Sequence, residues 1–281
     1  MQEIVYRPEP DIHRPGTLLQ GIIQDVMTSR ELSWRLFVRD LRGMYRQTLL
    51  GLFWAFLPPL ANTAVWVFLR SQDVFRFGGE LGVSETIYIF CGMVLWQAFV
   101  DAFQMPLNTI QANRSMVSKL NFPREALIVQ GLGDVLFNLG VRMMLLIPAM
   151  MWYQVPWTLN MVWAVPAVVL LVLLGAALGL LVFPLGSLYH DVGRFWTLAI
   201  PFWMIVTPIV YLLPDSSAGS LLMWLNPAAP LLVCARDCLV LGGTSHAVGG
   251  LVFAAATLPL FVVGLLVFRI SMPILVERMA N

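Results

Sequence analysis

The sequence predicts an all-α membrane protein with six transmembrane helices, an amino-terminal amphipathic interface helix and a re-entrant helical hairpin before the last span. Of 281 residues, 59% are hydrophobic and 12% are charged, whereas soluble proteins carry about 25% charged residues. The apolar residues also form continuous runs, without the alternation that a transmembrane strand requires. A helix is favoured in lipid because it satisfies its own backbone hydrogen bonds.

Six apolar runs are long enough to cross a hydrocarbon core of about 30 Å, which takes roughly 20 helical residues. Residues 1–28 are polar, contain several prolines and lack the apolar core of a signal peptide. We expect them to form an irregular cytoplasmic lead, followed by a transmembrane domain at 29–270 and a cytoplasmic tail at 271–281. The predicted spans are residues 49–69, 86–106, 127–153, 161–186, 195–213 and 247–269.

The distribution of positive charge predicts the orientation. With the amino terminus inside, 13 of the 17 lysines and arginines would face the cytoplasm, and Arg70, Arg76 and Arg236 would face outward. The positive-inside rule therefore places both termini in the cytoplasm, and we expect a multi-pass protein of a bacterial inner membrane. The net charge of +1 indicates no nucleic-acid partner.

Residues 29–48 predict a helix that lies in the membrane interface. An apolar face is flanked by a basic stripe, and this pattern is typical of helices near anionic headgroups. The helix is interpreted either as a general positive-inside anchor or as a surface that also docks a partner protein. The apolar face consists of Trp34, Phe37, Val38, Leu41, Tyr45 and Thr48, and the basic stripe of Arg35, Arg39, Arg42 and Arg46.

The short basic loop at 107–126 predicts a structured connection. Residues 113–120 are compatible with two helical turns, the sequence Asn121-Phe122-Pro123 ends them, and Arg124-Glu125 begins the next helix. The alternative is a simple connector without a helix.

The segment 214–246 contains two apolar runs that are too short to span a membrane. Residues 221–225 and 231–241 are separated by a predicted break at Asn226-Pro227 and Pro230. Short apolar helices at this position indicate a re-entrant hairpin, and irregular backbone at membrane depth is tolerated where it is buried in protein or lines a cavity.

A polar stripe runs along the third span, because Gln130, Asp134, Asn138 and Arg142 recur at every fourth position. Successive members rotate by about 40° around the helix, so they face a bundle interior or water. They are interpreted as a hydrophilic path, as a proton relay, or as hydrogen-bonding contacts between helices. Since Asp134 and Arg142 are two turns apart, each is expected to find a partner elsewhere.

Aromatic residues in two spans suggest contacts with sugar rings, with ordinary packing as the alternative. Phe53 and Trp54 lie at the start of the first span, and Trp203 and Tyr211 lie in the fifth.

The sequence does not predict an enzyme. The three histidines are scattered, which argues against a metal site, and no GxSxG motif is present. The single lysine, Lys119, is preceded by serine and does not form a P-loop. No cofactor is therefore expected in this chain, and if ATP drives the protein, another polypeptide binds the ATP and its Mg²⁺.

Four stretches of sequence carry a family likeness. They are RDLRGMYRQTLLGLFWAFLPPL from Arg39 to Leu60, ANRSMVSKLNFPREALIV after the second span, LYHDVGRFWTLAIPFWMIVTPIVYLLP around the fifth, and Asn226-Pro227 followed by Arg236. Together they resemble the type-2 ABC exporter permeases for polysaccharides, which include permeases for O-antigen, wall teichoic acid and capsule. The chain departs from many of these relatives at His190-Asp191 and Gly43-Met44.

The resemblance implies a homodimer with two copies of a separate ATP-binding subunit, which exports a lipid-linked glycan through a channel between the protomers. It implies that Leu50-Gly51 forms the turn before the first span and that the interface helix and the following cytoplasmic loop dock on the ATPase. The coupling residues would be Arg35, Arg39, Arg42, Arg46, Asn113, Arg114, Ser115, Lys119, Phe122, Pro123 and Arg124. The translocation residues would be Phe53, Trp54, Gln130, Asp134, Asn138, Arg142, Trp203, Tyr211, Asn226, Pro227 and Arg236.

Two other functions are compatible with the sequence. One is a secondary transporter driven by protons through Asp101, Asp134 and Arg142, although no internal repeat is visible. The other is a type-2 permease that exports drugs or lipids.

Overall fold

A computed structural model describes residues 21, 24–46, 53–72, 82–120, 122–212, 217–243 and 247–280. The predicted turn at Leu50-Gly51 and most of the predicted lead lie outside these residues. The described part of the chain contains no strand. Its main helices are α1 (Arg30–Arg46), α2 (Phe53–Ser71), α3 (Glu85–Ala112), α4 (Arg114–Lys119), α5 (Glu125–Trp152), α6 (Met161–Leu188), α7 (His190–Val206), α8 (Ser217–Leu225), α9 (Ala228–Val240) and α10 (Ala247–Ala280).

Four helices are long and apolar enough to cross a membrane: α3, α5, α6 and residues 249–278 of α10. The other two predicted spans correspond to α2, with 19 residues, and α7, with 17. At a rise of about 1.5 Å per residue, 17 residues cover about 26 Å, which is shorter than the hydrocarbon core. The structure therefore supports an all-helical membrane protein, and the number of six spans stays a prediction.

Helix α3 is the central helix of the bundle. It packs against α2, α5, α6 and α9, and 19 of its 28 residues are buried. An apolar helix that is covered all round belongs to the interior of a bundle rather than to its lipid-facing surface. By contrast, α5 and α10 expose large apolar side chains, including Met144, Ile147, Leu251 and Leu258.

The backbones of α3 and α6 touch at two glycines. A Cβ atom at Gly175 would lie 2.6 Å from the carbonyl oxygen of Phe99, and one at Gly179 would overlap the carbonyl oxygen of Phe103. Small residues permit this close approach between membrane helices. A third glycine, Gly264, brings α10 against α6 in the same way, since a Cβ there would lie 3.1 Å from the carbonyl oxygen of Ala177.

Prolines and their neighbours set several helix ends. Helix α7 begins at His190 and ends at Val206, so the predicted span at 195–213 starts earlier and ends sooner than expected. Thr207 is extended, with φ −81° and ψ 133°, because the following Pro208 disfavours helical backbone at this position. The predicted helix break at Pro230 is wrong, since α9 begins at Ala228 and contains Pro230 in its first turn, where the missing N–H is not needed.

The loop after the second span is helical as predicted. Helix α4 covers Arg114–Lys119, and α5 begins at Glu125. The last helix extends beyond the predicted span and continues through Ala280. The short helix α4 and the end of α10 lie at the same end of the bundle as several other helix ends. We call this the basic end. It consists of α1, α4 and the adjoining ends of α3, α5, α6, α7 and α10.

Candidate functional site

Helix α1 packs on α5 with one face and exposes the other. Ser33 and Leu36 are buried, while the ring of Phe37 lies against Gly133 and 6.3 Å from the ring of Phe137. On the opposite face Arg35 forms an exposed ion pair with Glu31 at 2.5 Å. The helix is therefore anchored through one side and presents charges outward, but the buried side is rotated from the predicted apolar face. Ser33 and Leu36 are buried against the bundle, whereas Trp34, predicted on the apolar face, is 63% exposed.

Arg39 connects α1 to the beginning of α4. Its Nη2 donates a hydrogen bond of 2.6 Å to Oδ1 of Asn113, and its Nε lies 2.6 Å from Asp40. Asn113 is buried and donates from Nδ2 to the carbonyl oxygen of Thr109 at 3.0 Å. The structure thus joins the two segments that the sequence assigns to partner docking. That these residues dock an ATP-binding partner and couple to it stays a prediction.

A second contact holds α1 to α5. The amide of buried Gln130 donates to Asp40, and Asp134, one turn further along α5, lies beside the same two groups. The amide oxygen of Gln130 has no hydrogen-bond partner among the described residues. Two members of the polar stripe therefore face α1 at the basic end of the bundle.

Helix α4 presents its polar residues outward around one apolar anchor. Val117 is 1% exposed and holds the short helix in place, whereas Arg114, Ser115 and Lys119 are exposed. Phe122, Pro123 and Arg124 are half-buried, and burial lowers the pKa of Arg124, partly offset by the neighbouring carboxylate of Glu125. Arg42 on α1 is also exposed, and the side chain of Arg46 lies outside the described residues. Together these residues form a basic surface.

An ionic cluster that the sequence did not reveal closes the same end. Arg269 of α10 lies 3.0 Å from Glu125 at the start of α5 and 2.9 Å from Asp25. Glu125 and Asp25 are far from Arg269 in the chain, so the cluster joins three separate segments. The sequence contained one signal, an acid directly after the Pro123-Arg124 helix start, but nothing in its spacing identified Arg269 as the partner.

The intramembrane charges pair between helices. Nη1 of Arg142 lies 2.6 Å from Oδ2 of Asp101 on α3, and Gln97 donates to the other carboxylate oxygen at 2.9 Å. The side chain of Arg142 is 6% exposed. Pairing across helices is what a charge at membrane depth requires, and it confirms the expectation that Arg142 finds its partner outside α5. Asn138 is half-buried.

The predicted aromatic residues fall into two environments. Phe53 and Trp54 are 46% and 54% exposed at the start of α2. Trp203 instead packs against α3, with its ring centroid 5.9 Å from that of Trp96 and 5.2 Å from that of Phe99. The Tyr211 hydroxyl donates to the carbonyl oxygen of Val206 at 2.9 Å. In this conformation Phe53 and Trp54 are the members of the group with open ring surfaces.

The segment containing α8 and α9 is fixed by one asparagine. Asn226 is 4% exposed. It accepts hydrogen bonds from Nε1 of Trp203 at 2.9 Å and from the backbone N–H of Ala228 at 3.2 Å, and it donates to the hydroxyl of Thr207 at 2.8 Å. With Pro227 as the following residue, Asn226 ends α8, starts α9 and ties both to the end of α7.

Arg236 is almost fully enclosed by the same region. It is 1% exposed, and its Nη1 donates to the carbonyl oxygens of Pro208 at 2.6 Å and Ile209 at 3.1 Å. Its guanidinium carbon lies 3.8 Å from the ring centre of Tyr88, and Asp237 lies 3.4 Å away. Two carbonyl groups of the irregular backbone that follows α7, those of Pro208 and Ile209, are therefore satisfied by Arg236, as buried non-helical backbone requires.

Comparison with known proteins gives a consistent result. Residues 31–240 match the family model described as ABC-2 type transporter. An O-antigen export system permease protein RfbA of Klebsiella pneumoniae is 24% identical over 240 residues, which cover 82% of this chain and 88% of the relative. The protein of the same name from Myxococcus xanthus is 26% identical over 219 residues, 75% and 81% of the two chains. The polysialic acid transport protein KpsM of Escherichia coli is 21% identical over 237 residues, 83% and 91% of the two chains.

Proposed function

The chain belongs to the ABC-2 type transporter family, and on this premise we propose that it is the membrane permease subunit of an ATP-driven exporter of a lipid-linked polysaccharide. The observation that carries the proposal is the family membership together with relatives named for O-antigen export and polysialic acid transport. The likeness extends over most of the chain, including the interface helix, the loop with α4 and the segment around Asn226. The chain contributes the path through the inner membrane.

In the proposed topology, α2 and α7 are the remaining two of six spans, and α8 and α9 form the re-entrant hairpin on the outer side. Residues 1–28 and 271–281 and both termini lie in the cytoplasm, and the transmembrane domain covers 29–270. The shortness of α7 is compatible with this topology, because irregular backbone at 207–212 follows it, with residues 207–210 buried. The burial of Arg236 supports a hairpin that is enclosed by protein rather than by lipid.

Two copies of the chain would assemble with two copies of an ATP-binding subunit, which holds the ATP and Mg²⁺. The partner surface is the basic face of α1 and α4, because Arg35, Arg42, Arg114 and Lys119 are exposed there while apolar residues anchor the two helices to the bundle. The hydrogen bond between Arg39 and Asn113 ties α1 to the start of α4, so both would move when the partner subunit moves. Movement would then pass to α5 through Asp40 and Gln130.

The lipid-linked glycan would move between the two protomers along polar and aromatic residues. Phe53 and Trp54 offer open ring surfaces for this role. Proton-driven transport is disfavoured because Asp101 is committed to an ion pair with Arg142 and because the family match points to an ATPase partner. Export of a drug or another lipid is an outcome that the experiment below distinguishes.

The test uses cells that lack the chain and the reconstituted complex. Deletion should abolish surface polysaccharide while its lipid-linked precursor accumulates inside, and the intact chain should restore export. The purified chain should hydrolyse no ATP, and the complex with its ATP-binding subunit should do so. Normal surface polysaccharide in the deletion strain, or transport by the isolated chain, would contradict the proposal.

A further inference from the structure

A groove runs between α1 and α5 at the basic end of the bundle. Its volume is about 840 Å³, within the range of roughly 300–1,000 Å³ for ligand pockets. Residues between 27 and 37 form one side, residues 129, 130 and 133 form the other, and most of the surface is apolar. We call it the α1–α5 groove. In the proposed topology α1 lies at the cytoplasmic membrane surface, so the groove is within reach of phospholipids of that leaflet.

Two exposed side chains give the groove an open apolar wall. Trp34 is 63% and Met27 is 75% exposed, because α1 contacts Gly133 of α5 through Phe37 instead. The ring of Trp34 lies beside that of Phe37, with the ring centroids 5.4 Å apart. Tryptophan is enriched at membrane–water interfaces, and a wall of tryptophan and methionine suits an acyl chain rather than a soluble polar molecule.

The α5 side of the groove contains one polar atom without a partner. Gln130 is 2% exposed, and its amide nitrogen donates to Asp40. Since a carboxylate only accepts, this contact fixes the orientation of the amide and leaves its oxygen as the unused group. No described residue donates a hydrogen bond to that oxygen. A buried acceptor without a donor is destabilising, so a suitable ligand for this groove carries N–H or O–H groups.

The rim of the groove carries a cation and an acid. Arg30 is exposed and forms no ion pair in the part of the chain that the structure describes, so its guanidinium is available to a phosphate. Glu31, the next residue, has a side chain that is 78% exposed. Its carboxylate attracts an ammonium group and repels a second negative charge. The rim therefore matches a headgroup that carries one phosphate and one amine.

We propose that the α1–α5 groove binds phosphatidylethanolamine, with the phosphate on Arg30, the ammonium group donating to the amide oxygen of Gln130, and an acyl chain along Trp34. Phosphatidylcholine has the same phosphate and chains but no N–H donor. Phosphatidylglycerol has hydroxyl donors but a net negative charge and no cation to meet Glu31. The bound lipid would hold α1 on α5, so the position of this helix would depend on the composition of the membrane. The site does not depend on which molecule the chain exports.

The test measures lipid binding to the full-length chain, purified in detergent and freed of its own lipid, by native mass spectrometry. The probes are phosphatidylethanolamine and phosphatidylcholine with identical acyl chains, so that the two differ in their N–H donors. The first molecule of phosphatidylethanolamine should bind about tenfold more tightly, because a hydrogen bond from a charged donor is among the strong ones. Phosphatidylglycerol with the same chains is the third probe and should bind more weakly than phosphatidylethanolamine.

Three variants locate the site. Gln130→Leu should bind the ethanolamine and choline lipids equally. Arg30→Ala should weaken the binding of both about fivefold, since both carry the phosphate, and its exposed side chain is dispensable for folding. Trp34→Ala, also at an exposed position, should weaken both about threefold or more by removing the apolar wall. Arg278→Ala removes another exposed arginine at the same end and should bind all three lipids as the unmodified chain does.

Equal binding of the ethanolamine and choline lipids by the unmodified chain would overturn the proposal. A preference for phosphatidylglycerol would overturn it as well and would indicate a general basic surface for anionic lipids. If Arg30→Ala and Trp34→Ala both keep the affinities of the unmodified chain, the lipid binds outside the groove. Loss of the bound lipid on assembly with the ATP-binding subunit would assign the groove to a protein partner instead.

Discussion

At the basic end, Arg39 and Arg269 contact side chains that lie 74 and 144 residues away in the chain. At the opposite end, Arg236 and Asn226 lie within 28 residues of their hydrogen-bond partners and bind backbone atoms as well as side chains. Arg39 and Arg269 are 50% and 25% exposed, whereas Arg236 is 1% exposed. The difference teaches that contacts at the basic end can be exchanged for water or a partner protein, while those at the hairpin end cannot.

Loss of Arg236 is expected to have the largest effect on stability. Arg236→Met removes the guanidinium that lies 3.4 Å from Asp237 and leaves the carbonyl oxygens of Pro208 and Ile209 without this donor. Breaking a buried ionic group in this way costs about 3–5 kcal/mol. The thermal unfolding midpoint of the purified chain in detergent should fall sharply. Arg236→Lys keeps the charge and should lower the midpoint less. If Arg236→Met has the same midpoint as the unmodified protein, the contacts at the hairpin end do not stabilise the fold as proposed.

Asn226→Ala should be the next most severe change. It deprives the indole of Trp203, the hydroxyl of Thr207 and the backbone N–H of Ala228 of a common partner. A buried group that loses its hydrogen bond costs about 1–3 kcal/mol. The same unfolding measurement applies, with Asn160→Ala as the control, because its bond to the carbonyl oxygen of Gly242 lies on the exposed surface. The comparison is wrong if both asparagine variants unfold at the same temperature.

At the basic end, the pair of Arg39 and Asn113 should matter more for coupling than for folding. A double-mutant cycle with Arg39→Ala and Asn113→Ala should give an interaction energy of roughly 0.5–1.5 kcal/mol for the half-exposed bond. In the complex, either substitution should lower the ATPase rate that substrate stimulates by several-fold. If either variant greatly lowers the stability of the chain but leaves the substrate-stimulated ATPase rate unchanged, the contrast between the two ends is wrong.

The smallest effect is expected at Arg35. Its ion pair with Glu31 joins side chains that are 74% and 78% exposed, and such pairs contribute about 0–1 kcal/mol. Arg35→Ala should leave the unfolding midpoint of the isolated chain unchanged. If Arg35 contacts the ATP-binding subunit, the variant should weaken assembly of the complex, measured by co-purification, and Glu31→Ala provides the matched control.

The sequence predicted local features well, because local residues determine them. The run of arginines in α1, the helix break before Glu125 and the break at Asn226-Pro227 all depend on neighbouring residues, and the structure contains each of them. The prediction for Pro230 failed because a proline is compatible with the first turn of a helix, and α9 begins three residues before the predicted run at 231–241.

Contacts between distant residues could not be predicted from the sequence. The polar stripe showed that Arg142 needed a partner, but helix packing alone selected Asp101, which lies 41 residues earlier. The same holds for Arg236, whose partners are carbonyl groups that carry no sequence signal.

The glycine contacts between α3 and α6 have a mechanical consequence. Gly175 and Gly179 are pressed against the backbone of α3. At these two positions α6 has no side chain that could change rotamer to absorb a rotation or a shift. We expect α3 and α6 to behave as a rigid frame, around which the outer helices would pivot when the basic end is displaced.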